Sequence, residues 1–293
     1  MPTVTRFAPS PTGRLHLGHA YAAWFAAEAA GPASGKDGGR LLLRIEDLDA
    51  ARCRPEFEAA ILDDLAWLGL AFERPLRRQS EHLADYARAL EALRAAGLLY
   101  PCFCTRREIL EEIARAPSAP QGPPQGLDAP AYPGRCRALA PRERATRIAS
   151  GEAYALRLDL AAARRRAGGL RWHEQGRGWQ EARPEPFGDV VLARKDSPAS
   201  YHLAVVVDDA AQGVTLVTRG IDLFPATHLH RLLQALLGLP ALEWRHHRLV
   251  TDEEGRRLAK RDGATALAAL RAAGHDPATV RAMAEQALSL TPG

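Results

Sequence analysis

Two histidines stand three residues apart in the stretch Pro9-Ser10-Pro11-Thr12-Gly13-Arg14-Leu15-His16-Leu17-Gly18-His19. If a helix begins just after the Pro-Ser-Pro-Thr-Gly turn, His16 and His19 share one face of its first turn. Imidazole N–H groups placed there, at the positive end of a helix dipole, suit a phosphate that gains charge during a reaction. Gly18 between them lets a ligand approach the backbone closely. The competing reading is a loop with two solvated histidines. Near the other end lies Arg256-Arg257-Leu258-Ala259-Lys260-Arg261-Asp262-Gly263. A charge run of this kind is either a solvated loop or a phosphate clamp with Lys260 as its ammonium. Of the 39 Lys and Arg residues only Lys36, Lys195 and Lys260 are lysines, so a lysine in this run stands out.

A second group is formed by cysteines. Cys102 and Cys104 make a C-x-C pair and Cys136 follows about thirty residues on. Three thiolates supply most of a tetrahedral zinc site, and Asp128, Tyr132 and His173 are the nearby residues able to close it. The alternative is three ordinary thiols in a reducing compartment. Cys53 reads as a plain residue beside a helix start.

Elements must position these groups. A strand over 3–7 stops at the proline turn, and a helix over 17–30 follows. An apolar strand over 41–45 is of the type buried in parallel sheets. Pro55 opens a helix that ends near Gly69, and another helix spans 80–96 before Gly97. Strand alternating with helix predicts βαβ units and a parallel sheet. The rhythm breaks after residue 100. There the pattern predicts a short helix near 106–114, a turn-rich excursion over 117–133, and strands over 154–160 and 170–173. It then returns with strands over 189–193, 214–218 and 244–250 and helices over 201–209 and 227–237. The tail from 264 is helical, broken by Gly274, with Asp276 as N-cap and Pro277 at the first helical position.

The chain has 293 residues, 46% hydrophobic and 25% charged. That is globular composition and excludes a disordered, collagenous or coiled-coil chain. No apolar run reaches the roughly 18 residues of a membrane span, and the N-terminus has no signal-peptide pattern. A soluble, cytoplasmic chain without a membrane partner is the expectation. The net charge of +4 is compatible with a nucleic-acid partner without establishing one.

Taken together, the histidine stretch resembles the HIGH signature of class I aminoacyl-tRNA synthetases, with Leu17 for isoleucine. Arg257-Leu258-Ala259-Lys260-Arg261 resembles their KMSKS signature. Three further stretches look like the glutamyl branch: residues 6–13, Leu43-Arg44-Ile45-Glu46-Asp47-Leu48-Asp49, and 201–209 with Gly213-Val214-Thr215. The resemblance spans nearly the whole chain. It implies an α/β fold, a Rossmann-like parallel-sheet catalytic core with a small zinc-containing insertion and a short C-terminal helical segment. Residues 1–100 and 188–250 would be the two halves of that core. Residues 101–187 would be the insertion, and 251–293 the KMSKS-like loop and terminal helices.

Only about thirty residues follow Arg261, which resembles truncated paralogues of glutamyl-tRNA synthetase without the anticodon-binding region. Those activate L-glutamate with ATP, without needing tRNA. They then transfer glutamate to the queuosine base at the wobble position of tRNA(Asp). By resemblance, His16, Gly18, His19 and Lys260 meet ATP, with His16, His19 and Lys260 catalytic and Mg²⁺ accompanying the nucleotide. Arg6, Phe7, Ala8, Pro9 and Ser10 line the glutamate pocket, Glu46 takes the ammonium, and Tyr201 and Arg219 contact the amino acid. The paralogues' C-x-C…Y-x-x-x-C zinc pattern maps onto Cys102, Cys104, Tyr132 and Cys136, a structural site. Ala259 replaces a serine usual in the KMSKS loop, and Val205 stands where a polar residue is common. The competing expectations are a compact enzyme charging a tRNA 3′ end, an inactive zinc-containing RNA-binding module, and a nucleotidyl transferase acting on another small acid.

Overall fold

The computed structural model describes residues 2–31, 38–105, 107–109, 132–194, 197–251 and 265–289. The first strand, β1 (Val4–Phe7), is buried at every position. It leads into helix α1 (Leu17–Ala30), which returns to strand β2 (Arg40–Ile45). Both faces of β2 are covered, so its Leu42, Leu43 and Ile45 are buried. Helix α2 (Pro55–Trp67) starts on Pro55, whose missing N–H costs nothing at a helix start. Strand β3 (Glu73–Arg78) follows. Its charged sequence hid it from periodicity, because an edge strand buries little; only Leu76 belongs to the core. The helix expected over 80–96 begins with a 3₁₀ turn, Gln79–His82, and becomes α3 (Leu83–Ala95).

Next come β4 (Leu99–Cys102), helix α4 (Pro141–Ala149), β5 (Ala155–Leu158), helix α5 (Leu160–Ala167), β6 (Arg171–Glu174) and β7 (Gly178–Glu181). The strand expected to run through Leu160 ends at Leu158. Asp159 then starts α5, its carboxylate accepting from the N–H of Ala162 at 2.9 Å. Strand β8 (Val191–Ala193), helix α6 (Tyr201–Ala211), strand β9 (Leu216–Gly220), helix α7 (Phe224–Leu236), strand β10 (Glu243–His247) and helices α8 (Leu267–Ala272) and α9 (Pro277–Ser289) complete the chain. The short helix and proline-rich excursion read over 106–114 and 117–133 lie mostly outside the described residues.

Two parallel half-sheets carry the fold. One has the order β1-β2-β3 and the other β7-β6-β10-β9, with β7 alone antiparallel. They meet at β1 and β9, where the N–H of Thr215 donates to the carbonyl of Val4 at 3.0 Å. The order across the molecule is therefore 3-2-1-9-10-6-7, and it reverses between β1 and β9. In open α/β sheets that switch point is where ligands bind, outside the carboxyl ends of the strands. Strand β6, read from sequence as part of the insertion, pairs in parallel with β10. A third, antiparallel sheet, β4-β5-β8, carries Cys102 at its margin. One core cluster packs α1, α2, α8 and α9 on the first half-sheet through Leu15, Trp24, Ile45, Ile61, Leu267 and Val280. Another unites α3, α6 and α7 through Tyr86, Leu93, Leu203, Val206, Leu229 and Leu232. Among the described residues no helix is long and apolar enough to cross a membrane.

Candidate active site and metal centre

His16 is the N-cap of α1. Its Nδ1 accepts from the N–H of Gly18 at 3.2 Å, and Nδ1 of His19 accepts from the N–H of His16 at 3.2 Å. This is a capping box made of imidazoles. Because both Nδ1 atoms accept, a neutral ring carries its proton on Nε2, so each presents an N–H donor beyond the cap. The ring centroids lie 3.8 Å apart. A Cβ at Gly18 would come within 3.2 Å of His16 Cε1, so a larger residue there would displace the imidazole slightly. Lys260 lies outside the described residues. The described residues flanking its segment are close to the histidines: Ala266 forms a bridge with His16, and Val250 lies beside Gly18.

The second group gathers at the sheet's switch point. Arg6 on β1 directs Nε to Asp209 at 2.9 Å and Nη1 to the carbonyl of Thr218 at 2.9 Å. Arg44 on β2 is fully buried, with Nη1 2.6 Å from Asp209 and Nη2 3.2 Å from Glu46. The N–H of Glu46 donates to the carbonyl of Pro9 at 3.0 Å, which ties the β1–α1 turn to the β2–α2 loop. Burial pushes the Glu46 carboxyl above its ordinary value, against the opposing pull of Arg44 and Arg6. Ala8 and Ser10 lie on this turn, Ser10 exposed and accepting from the N–H of Thr12 at 2.8 Å. Phe7 instead packs into the core with Leu43 and Ile45.

Arg219, near the end of β9, is 7% exposed, and Tyr201 at the start of α6 is 38% exposed. Among the described residues no carboxylate forms an ion pair with Arg219. The Tyr201 ring lies 5.8 Å from that of His230, and its hydroxyl is a neighbour of Arg219. Tyr201 feels the charges of Arg219, Glu46, Arg6 and Asp209, so these groups are neighbours.

Sequence reasoning assigned no role to Arg44, Asp208 or Asp209. The signal was present: an arginine inside the apolar run of β2, and two adjacent acids on the otherwise apolar α6. Asp208 accepts from the hydroxyl of Tyr86 at 2.9 Å, from Arg77 at 2.7 Å and from Gln79 at 2.8 Å, which fixes α6 against α3 and β3. Such buried pairs are costly to break singly, by about 3–5 kcal/mol.

The thiols of Cys102, Cys104 and Cys136 lie within 4.8 Å of one another. The Tyr132 hydroxyl is 3.4 Å from Cys104 Sγ and accepts from the N–H of Cys136 at 2.8 Å. Burial alone would raise the Cys136 thiol, but bonds from Tyr132 and the N–H of Phe103 hold it below its ordinary value. Arg157 lies over the Tyr132 ring, 4.0 Å from its centroid, a cation–π contact, and burial together with the bonds to the neighbouring thiols pushes the Tyr132 hydroxyl well above its ordinary value. His173 is elsewhere: it sits on β6 with Nδ1 3.3 Å from Glu243, so it does not close this cluster. Asp128 lies outside the described residues. Cys53 stands apart before α2, its thiol 3.9 Å from the carbonyl of Glu46.

A parallel sheet with a capped histidine pair at a switch-point helix and a cluster of buried charges beside it is an α/β fold whose switch point carries the candidate site. The family model for the catalytic domain of class I tRNA synthetases (E and Q) matches residues 2–287, and the chain belongs to that family. Several similar relatives are named glutamyl-Q tRNA(Asp) synthetase. That of Rhodobacter capsulatus is 52% identical over 285 residues, covering 95% of this chain and 98% of its own. That of Nocardia farcinica is 45% identical, covering 98% of this chain and 85% of its own. The crystal structure of a glutamate tRNA ligase from Elizabethkingia meningosepticum, in complex with its amino acid, superposes with a TM-score of 0.69 at 29% identity. The match covers 90% of this chain and 53% of that ligase, so this chain spans about half its length.

Proposed function

We propose that this chain activates L-glutamate with ATP, without tRNA, and transfers it to the queuosine base at the wobble position of tRNA(Asp). The observation that carries the glutamate reading is Arg219: a buried guanidinium without a carboxylate partner among the described residues, in one cleft with Glu46. A substrate carboxylate supplies the missing charge. The Glu46 carboxylate takes the ammonium, and the Tyr201 hydroxyl lies beside the carboxylate. Arg6 keeps Nη2 for the second carboxylate, after Nε and Nη1 are spent on Asp209 and Thr218. Ala8, Pro9 and Ser10 supply the wall of the pocket through the turn that Glu46 holds. The choice of acceptor rests on the relatives, which share the name glutamyl-Q tRNA(Asp) synthetase at 42–52% identity.

The reaction is attack of the glutamate α-carboxylate on the α-phosphorus of ATP, with pyrophosphate leaving. Most of the catalysis is positioning and charge stabilisation. The Nε2–H donors of His16 and His19, backed by the α1 dipole, meet the phosphate oxygens as charge develops. Lys260 meets the leaving pyrophosphate, and Mg²⁺ accompanies the nucleotide.

The thiol cluster fits zinc. A tetrahedral Zn²⁺ with bonds of about 2.3 Å places its sulfurs about 3.8 Å apart, and the three thiols here sit within 4.8 Å. Cys102, Cys104 and Cys136 would hold it, with Tyr132 as fourth ligand. All positions would then be filled by protein, a structural ion that ties β4 to residues 132–138. On this reading the enzyme works in the cytoplasm, alongside its ATP and tRNA.

The test is transfer of labelled glutamate to tRNA(Asp) with and without queuosine, and to tRNA(Glu). The expected result is label on queuosine-containing tRNA(Asp) alone, with ATP–pyrophosphate exchange that needs glutamate and no tRNA. Label on the 3′ end of tRNA(Glu) would make the chain a compact charging enzyme. Glutamate binding without exchange would make it an inactive RNA-binding module, and exchange with another acid would reassign the substrate.

A further inference from the structure

How Arg219 is held has no counterpart in the sequence motifs. Three of its five N–H groups have neutral partners. Nε donates to Nε2 of His246 at 3.1 Å, Nη1 to Nδ1 of His230 at 3.1 Å, and Nη2 to Oγ1 of Thr227 at 2.6 Å. A guanidinium only donates, so each of these imidazole nitrogens must accept, and this fixes the tautomers. His246, accepting on Nε2, carries its proton on Nδ1. That N–H faces Oε2 of Glu174 at 2.8 Å. The other oxygen of Glu174 accepts from the backbone N–H of His246, also at 2.8 Å.

Glu174 is 2% exposed. Burial alone would raise its pKa, but the two bonds from His246 bring it below the ordinary value, so it stays a carboxylate. Burial outweighs Glu174's pull on His246 and lowers the imidazole's pKa, which keeps that ring neutral. On the other side, His230 accepts on Nδ1 and directs Nε2 to Nδ1 of His202 at 3.0 Å. His230 is lowered well below its ordinary value by burial and by the charge of Arg219, and His202 is lowered to about 4 for the same reasons. The guanidinium is thus aimed by three neutral acceptors, and its nearest hydrogen-bonded anion is one imidazole away. A carboxylate in direct contact would fix Arg219 equally well, but it would occupy the charge that a substrate needs.

We propose that Glu174 and His246 are positioning residues for substrate glutamate: the β6 carboxylate orients the β10 imidazole, which aims Arg219 while leaving its charge for the substrate carboxylate. This rests on the reading of Arg219 as a glutamate-binding residue. It also gives β6 a part in the site, although its sequence lies between the two halves that carry the recognised motifs.

The experiment is glutamate-dependent ATP–pyrophosphate exchange without tRNA, with KM for glutamate, KM for ATP and kcat measured separately. Losing a hydrogen bond to a charged group is worth about ten- to a hundred-fold. His246→Leu and Glu174→Gln are expected to raise the glutamate KM by about that factor, with the ATP KM within about two-fold. His246→Gln keeps an acceptor for Arg219 and a donor for Glu174, and it should recover most of the loss. A merely structural role would move all three parameters together and show no rescue. Arg219→Ala separates the two readings. If it raises the glutamate KM while the Glu174 and His246 variants do not, the relay is wrong and the pocket stands. If Arg219→Ala leaves the glutamate KM unchanged, the pocket itself is misassigned.

Discussion

Glu46 shows how one side chain is tuned by what surrounds it. Its backbone is held by Pro9, its carboxylate touches Arg44, and burial raises its pKa above the ordinary value of 4.5. An ammonium is attracted only by the ionised form. As pH falls through that raised pKa, Glu46 takes up a proton and the attraction is lost. The glutamate KM of the wild type should therefore climb at a higher pH than an ordinary carboxylate would give, in exchange assays run between about pH 5 and 8. Glu46→Gln should show a KM raised by about ten- to a hundred-fold and flat over the same range. Identical pH profiles for the two proteins would remove Glu46 from the ammonium site. At this scale the sequence showed residue types but not their partners. Arg6, Glu46 and Arg219 are nominated by the family resemblance alone, whereas their neighbours Asp209, His230 and His246 come from distant parts of the chain.

At the scale of elements, α1 is built around its own N-terminus. The turn before it could be read directly, because proline and glycine dictate backbone shape over a few residues. The imidazole capping box could not, since histidine is not among the usual N-cap residues. Its test is Gly18→Ala. The added Cβ would sit 3.2 Å from His16 Cε1 and 3.4 Å from Nδ1, so the imidazole must move. Exchange kcat should fall by about ten-fold, while alanine in place of glycine adds up to about 1 kcal/mol to helix stability. A variant with higher thermal stability and lower kcat would separate the two effects; an unchanged kcat would mean that His16 does not depend on that spacing. Strand β3 and helix α5 escaped the sequence pattern for a different reason. A charged edge strand has no alternation to read, and an eight-residue helix starting at Leu160 continues an apolar run that also suits a strand.

For the molecule as a whole, the thiol cluster is the clearest join between distant segments. Cys102 ends β4, and Cys136 lies in the 3₁₀ turn Arg135–Ala138. Near them Asp189 accepts from the Tyr100 hydroxyl at 2.5 Å and from Arg137 at 2.8 Å, so the lobe has polar anchors besides its thiols. Removing one ligand should weaken the lobe without touching the cleft. Cys102→Ser is expected to lose bound zinc and to melt a few degrees lower, with the kcat of the folded fraction near wild type. Zinc content measured by elemental analysis decides it: an unchanged content would place the metal elsewhere.

The sequence by itself determined the local and the chemical. It fixed the first strand, the proline turn, the α1 and α2 starts, the Asp276 cap and the types of residue able to bind phosphate, glutamate and metal. These follow from steric preferences and side-chain chemistry within a few residues of one another. The Asp276 cap is there, accepting from the N–H of Thr279 at 2.7 Å. Only the tertiary structure decided which groups meet. It brought Arg6, Arg44 and Asp209 together across more than 150 residues, set Arg219 among neutral acceptors, and drew β6 into the sheet beside β10. The reason is that burial and pairing belong to the packed sheet. A charge becomes a binding site when its neighbours leave it buried and unpaid, and no local pattern records that.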